Sequence, residues 1–345
     1  MKGVGVIVTL TLFIQRLGLC KPTALSYGSR RGHSVPVFRT EKGSSVCNHA
    51  HDHSVAAVGL LRGMKISCIL SDIDGTFITD GHEVSLKALE YIKVLQQQHG
   101  ILFFPATGRT RRSMMDVTNN TLSGVFHRPI EGIPGVYSQG LQVYDLDGQL
   151  IYERYLEPRI IEMVETFCEM ESLALIAYGG ERILCKQLCA QTNKLPLYSE
   201  PIPDVFPLGL RYLETVGHIK ANKVIILADE SELTRIRPML TQYLGDEATI
   251  TKAVPGMLEV LPYGASKGEG VRKLLEHYNI SLDETVAFGD GENDVEMLEL
   301  VRLGIAVDNA KSTLKDVAQL ITLSNNDDGV GSILELIVDI VTEKK

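Results

Sequence analysis

Short unbroken apolar runs recur along the chain at Ile66 to Leu70, Ile101 to Phe104 and Val286 to Phe288, and each leads into a polar residue, Asp72, Thr107 or Asp290. Runs of this length predict strands buried on both faces, as in a parallel sheet. After the first, Ser85 offers an N-cap, Leu86, Leu89, Ile92 and Leu95 recur at helical spacing, and Gly100 closes the segment, so helix follows strand. The alternation resumes near the C-terminus with a helix around Val295 to Val301, a strand over Gly304 to Val307 and a helix over Val330 to Val341. This pattern predicts an α/β fold with a doubly wound, mostly parallel sheet, whose ligands bind beyond the carboxyl ends of the strands. Asp72, Thr107 and Asp290 all fall there.

The rhythm changes between residues 153 and 262. Pro158 opens a helix that runs to Glu171, short strands are predicted around Leu173 to Tyr178 and Val224 to Ala228, and a helix spans Ser231 to Tyr243. This stretch is expected to form an inserted α+β domain, 153–262, splitting a core made of 64–152 and 263–345.

The first 62 residues read differently. Lys2 precedes an uncharged, mostly apolar stretch from Gly3 to Ile14, too short for a membrane span but fitting a signal-peptide core, so 1–20 is expected to be a signal. Residues 21–62 follow with Lys21, Arg30, Arg31, Arg39 and Lys42 among many Ser, Gly and His residues, like a transit segment. The pair resembles the two-part leaders that reach complex plastids through the secretory route. Plain secretion, or a lipoprotein modified at Cys20, are the alternatives, and none leaves a stable membrane span in the mature chain. His49, His51 and His53 sit in this leader without apolar periodicity and are expected to be unstructured rather than metal-binding.

Charge sharpens the division. Residues 1–62 hold eight Lys/Arg against two Asp/Glu, leaving 26 basic against 41 acidic side chains in the remainder. An acidic body is repelled by a phosphate backbone, which excludes a nucleic-acid partner. The six cysteines form no Cys-x-x-Cys pair, so neither a disulfide framework nor a redox site is expected.

The candidate chemistry lies at the strand ends. A carboxylate attacks phosphorus only when its charge and that of the phosphate are offset, which a divalent ion does. Asp72 and Asp74 flank a turn at Gly75, which would swing both toward the mouth of the sheet, and Thr76 would cap that turn. Asp290 and Asp294, within Gly289-Asp290-Gly291-Glu292-Asn293-Asp294, offer hard oxygen ligands suited to Mg²⁺. Lys267 opens a helix beside Gly268 and Gly270, where its ammonium is a point charge for a phosphoryl group, and Thr107 adds a neutral donor. Four carboxylates against one ammonium leave the site anionic, so metal is required before phosphate can enter.

In this order and spacing, Asp72-Ile73-Asp74-Gly75-Thr76, Ala106-Thr107-Gly108-Arg109, Ser266-Lys267-Gly268 and Gly289 to Met297 resemble the motifs of the haloacid dehalogenase-like hydrolases, specifically the Cof-type phosphatases with an inserted cap. The resemblance covers residues 64–345. It implies a Mg²⁺-dependent phosphatase acting on a small phosphorylated metabolite through an aspartyl-phosphate on Asp72, with Asp74 protonating the leaving oxygen and then deprotonating water. It implies further that Asp72, the main-chain carbonyl of Asp74, Asp290 and Asp294 hold the metal, and that Thr107, Gly108, Lys267 and Asn293 hold the phosphoryl group. Arg109 and Arg182 are candidate substrate contacts. One departure stands out: Ser138-Gln139-Gly140 occupies the place where many Cof-type members carry Asn-Gly. A phosphomutase, or a non-catalytic phosphometabolite-binding protein, would keep much of the same pattern.

Overall fold

The computed structural model describes residues 27–30, 33–36, 57–126, 133–252 and 254–344. The proposed signal, most of the basic segment and His49, His51 and His53 lie outside them. Tyr27–Arg30 and His33–Pro36 pair antiparallel, Tyr27 opposite Pro36, in a unit of residues 1–44 separate from 45–345. Everything below concerns the larger unit. Residues 57–62, read by composition as the end of the leader, are helical, and Ala57 and Leu61 are fully buried in its main core.

The chain begins its sheet with β1 (Cys68–Ser71), turns through Ile73–Phe77, and forms α1 (Leu86–His99), β2 (Leu102–Pro105) and α2 (Arg111–Val117). Ser85 Oγ accepts from Ala88 N at 3.2 Å and Gly100 closes α1 at φ 66°, the cap and stop that the sequence predicts. A meander follows, β3 (Gly135–Tyr137), β4 (Gln142–Tyr144) and β5 (Leu150–Glu153), attached to the sheet by a parallel bridge between Ala106 and Val136.

The inserted domain consists of α3 (Pro158–Glu171), β6 (Ala174–Gly179), β7 (Arg182–Cys185), β8 (Asp204–Val205), β9 (Lys223–Leu227), α4 (Glu230–Leu244), β10 (Ala248–Thr251) and β11 (Met257–Pro262). Its strands lie in the order β8-β7-β6-β9-β11-β10, antiparallel except for the β7/β8 pair. Its apolar clusters, built from residues between Leu156 and Val260, are separate from that of the core. The core then resumes with α5 (Lys267–Tyr278), β12 (Thr285–Gly289), α6 (Val295–Leu300), β13 (Leu303–Ala306), β14 (Leu320–Ile321) and α7 (Gly329–Glu343).

The five core strands run parallel in the order β14-β13-β12-β1-β2. From β1 the chain winds outward to β2, and from β12 it winds the other way to β13 and β14. The winding therefore reverses between β1 and β12, the point at which doubly wound sheets open a crevice for ligand. Ile69, Leu70, Phe103, Phe104 and Phe288 are essentially inaccessible, each contributing roughly 1.5–3 kcal/mol of apolar burial and fixing the strand ends on which the site stands. Among the described residues no helix is long and apolar enough to cross a membrane. The described cysteines, Cys68, Cys168, Cys185 and Cys189, are free thiols.

Candidate active site

Asp72 leaves the end of β1 with its amide donating to the Phe288 carbonyl at 3.0 Å, so the β1/β12 pairing sets its position. The turn that follows is wide: Asp74 is extended (φ −68°, ψ 127°) and Gly75 is left-handed (φ 68°). A Cβ on Gly75 would stand 2.8 Å from Asp290 Oδ2, so this position requires glycine for both conformation and space. Thr76, expected to cap the turn, instead donates to Asp290 Oδ1 at 3.2 Å.

Three carboxylates and one ammonium meet at the crevice. Lys267, at the start of α5 where Ser266 Oγ accepts from Glu269 N, places Nζ 2.7 Å from Asp72 Oδ1 and 2.7 Å from Asp294 Oδ1. Asp294 Oδ2 accepts from the amides of Asp290 and Gly291, each at 3.0 Å, so this fully buried carboxylate has partners on both oxygens. One oxygen each from Asp72, Asp290 and Asp294 lie within 4.8 Å of one another. Burial, then repulsion from Asp294, push the Asp72 carboxyl well above its ordinary range, with Lys267 pulling the other way. The same two causes raise Asp290 from an ordinary 3.8 to about 6. Burial works against the charge on Lys267, yet Asp294 and Asp72 hold its ammonium above the usual lysine range. Three crowded acids sharing one cation still want positive charge. A hard divalent ion suits this all-oxygen donor set.

Asp74 is turned away from this cluster. Its two oxygens accept from Arg109 Nε at 2.7 Å and Nη2 at 2.8 Å, a bidentate pair of high geometric specificity. Arg109, a candidate substrate contact, thus spends its donors internally: Nη1 reaches Ser113 Oγ at 3.0 Å, the Tyr198 carbonyl at 2.7 Å and Glu200 Oε1 at 3.4 Å. Tyr198 and Glu200 belong to the inserted domain, so the guanidinium ties that domain to Asp74.

The other predicted residues have equally definite partners. Thr107 is buried and its Oγ1 accepts from Arg109 N at 3.1 Å. Gly108 gives its carbonyl to Lys223 Nζ of β9 at 2.8 Å, and a Cβ there would meet Gln139 Nε2 at 2.5 Å. Asn293 Nδ2 donates to Gln139 Oε1 at 3.0 Å, Gln139 Nε2 donates to Glu259 Oε1 at 2.9 Å, and Lys223 pairs with Glu259 Oε2 at 2.7 Å. Gln139, the departure from the Cof-type pattern, is buried with φ 62°, and its amide spans from the β12 loop to the inserted domain. Arg182 stands apart: it is exposed at the start of β7 and pairs with Asp204 Oδ2 at 3.0 Å, because the turn after β6 leaves it on the outer part of that sheet. Glu200, Lys223 and Glu259 carry no local motif. Their signal lies only in being buried charges, which the sequence does not display.

The matches to known proteins agree with this geometry. Residues 69–334 match the family model for haloacid dehalogenase-like hydrolases. The chain is 32% identical over 273 residues to a protein of Arabidopsis thaliana named Endoribonuclease YBEY, chloroplastic, the match covering 78% of this chain and only 46% of that one. This chain thus spans about half the length of that relative, whose name describes the whole. It is 26% identical to the HMP-PP phosphatase of an Enterobacter species, over 70% of this chain and 84% of that one. Among solved structures it resembles a Plasmodium vivax protein described as HAD/COF-like, with TM-score 0.74, 27% identity and coverage of 82% of this chain and 99% of that one. With the parallel core, the inserted domain and the acidic cluster at its switch point, these matches make the chain a member of the haloacid dehalogenase-like hydrolases of Cof type, enzymes that act on phosphate esters.

Proposed function

We propose that the protein is a Mg²⁺-dependent phosphatase that hydrolyses a small phosphorylated metabolite through an aspartyl-phosphate on Asp72. The observation that carries this reading is the meeting of Asp72, Lys267, Asp290 and Asp294 at the switch point, with three carboxylate oxygens within 4.8 Å of one another. Asp72, the Asp74 carbonyl, Asp290 and Asp294 would hold the ion. When bound, it supplies the positive charge that keeps these acids ionised and polarises the phosphoryl oxygens.

Asp72 Oδ1 faces Lys267, so its other oxygen attacks phosphorus. The P–O bond to the alcohol breaks as Asp74 delivers a proton to the departing oxygen. Asp74 then takes a proton from the water that attacks the acyl phosphate, releasing inorganic phosphate and regenerating Asp72. Asp74 makes both transfers after leaving the Arg109 pair that holds its two oxygens in this structure, while Thr107, Gly108, Lys267 and Asn293 surround the phosphoryl group. The inserted domain, as a cap, excludes water and meets the alcohol. The acidic body argues against a nucleic-acid substrate, and the basic leader, together with the chloroplastic relative, supports a plastid destination.

The test is phosphate release across ~100 small phosphorylated metabolites, with and without Mg²⁺, at substrate levels spanning roughly 1 μM to 1 mM. Asp72→Asn is expected to lose turnover with an unchanged circular-dichroism spectrum, and Asp74→Asn to lose roughly 10²–10⁴-fold. Substantial residual turnover in the Asp72 variant would sink the mechanism. An isomerised sugar phosphate without free phosphate would point to a mutase.

A further inference from the structure

Among the described residues, the buried carboxylate oxygen Glu200 Oε2 has no hydrogen-bond partner. The side chain is 8% exposed, and its other oxygen is occupied, accepting from Ser113 Oγ at 2.7 Å and facing Arg109 Nη1 at 3.4 Å. Buried acceptors are nearly always paired, and an unpaired one of this kind awaits a donor. Its setting says which. Arg109, Lys223 and Asp74 are the charged groups that act on Glu200, and Arg109 is shared between it and both oxygens of Asp74. Burial works against the charge on the Glu200 carboxyl, while Arg109, Ser113 and Lys223 favour it. Glu200 comes from the inserted domain, just after Thr192–Tyr198 and a left-handed Ser199 (φ 58°), and Arg109 links it to Asp74, the residue that would protonate the leaving oxygen.

We infer that Glu200 determines specificity: its free oxygen accepts a hydrogen bond from a hydroxyl or ammonium group of the leaving alcohol, so the protein selects phosphomonoesters whose alcohol carries such a donor near the ester oxygen. This rests on the phosphatase reading above. A leaving group without a donor would bury the same oxygen unpaired, and a site built to pair a polar group rejects the analogue that lacks it.

Matched substrates test this. Glycerol 3-phosphate and n-propyl phosphate share a carbon skeleton, as do phosphoethanolamine and ethyl phosphate, and only the first of each pair carries a donor. With Mg²⁺, the wild-type chain is expected to favour the donor-bearing member by roughly 10- to 100-fold in kcat/KM, the scale of a hydrogen bond to a charged group. The hydroxyl and ammonium pairs separate the two donor chemistries. Glu200→Gln keeps the side chain's shape and the oxygen held by Ser113 but replaces the free acceptor with an amide, and it is expected to shrink that preference to about threefold or less. A wild-type enzyme that hydrolyses both members of each pair equally well overturns the inference without any variant, and so does a Glu200→Gln enzyme that keeps the preference. Turnover of none of the four esters counts against the phosphatase reading itself.

Discussion

Replacing Lys267 by Met would remove the only cation among the described residues that touches the acidic cluster, while keeping the volume of the side chain. Its ammonium lies 2.7 Å from Asp72 and 2.7 Å from Asp294, with the Lys267 and Asp294 side chains fully buried and that of Asp72 7% exposed. Breaking a buried pair by removing one partner costs roughly 3–5 kcal/mol, mostly because a charge is left uncompensated. Asp294 keeps two amide donors on its other oxygen, so the loss should stay near that range rather than double. The assay is equilibrium urea unfolding of the metal-free protein at neutral pH. The pH dependence has a definite sign. The folded-state pKa of Asp72 is raised above its ordinary value by burial and Asp294, so the folded state binds that proton more tightly than the unfolded chain and gains stability as pH falls through it. Without Lys267 that pKa rises further. The variant therefore gains more than the wild type on acidification, and the difference between them narrows. Adding Asp294→Asn to the variant should restore part of the loss. A loss under about 1 kcal/mol, or one equal at neutral and acid pH, would refute the assignment of Lys267 as counter-ion to the two acids.

Two further outcomes follow from the same cluster. Mg²⁺ binding is expected to weaken as pH falls through about 6, where burial and Asp294 hold the Asp290 carboxyl, because protons and the ion compete for the same oxygens. Calorimetric titrations on either side of that pH check this, and equal affinities would contradict it. Gly75→Ala forces a left-handed φ of 68° on a residue with a Cβ, which would meet Asp290 Oδ2 at 2.8 Å. The expected result is a stability loss of roughly 1–3 kcal/mol, read by thermal unfolding, together with weaker Mg²⁺ binding; unchanged metal affinity would mean that the Asp290 carboxylate can move aside freely.

Much of this protein is legible one segment at a time. Apolar runs announce β1, β2 and β12, and Ser85 and Gly100 bracket α1 because caps are local chemistry. Pro158 begins α3 and the helix reaches Glu171, as periodicity and proline placement predict. The pairs Asp72/Asp74 and Asp290/Asp294 are visible because each sits on one turn at one strand end. The short strands β3, β4, β7, β8 and β10 are less so. Two to four residues long, they offer too few positions for a periodic pattern, and pairing with a neighbouring strand is what makes them strands.

What only the tertiary structure decided are the partnerships between segments far apart in the chain. Nothing in Ala106-Thr107-Gly108-Arg109 says that Arg109 clasps Asp74, or that its remaining donors go to Tyr198 and Glu200. Gln139 is visible in the sequence as a departure, but its span from Asn293 to Glu259 depends on a left-handed backbone and on three elements packing together. Arg182, attractive beside a glycine-rich turn, lies at an exposed position paired with Asp204. The physical reason is the same in each case. A carboxylate at a strand end takes its place from the local turn, whereas a buried charge takes its meaning from whichever opposite charge the folded chain brings within about 3 Å of it.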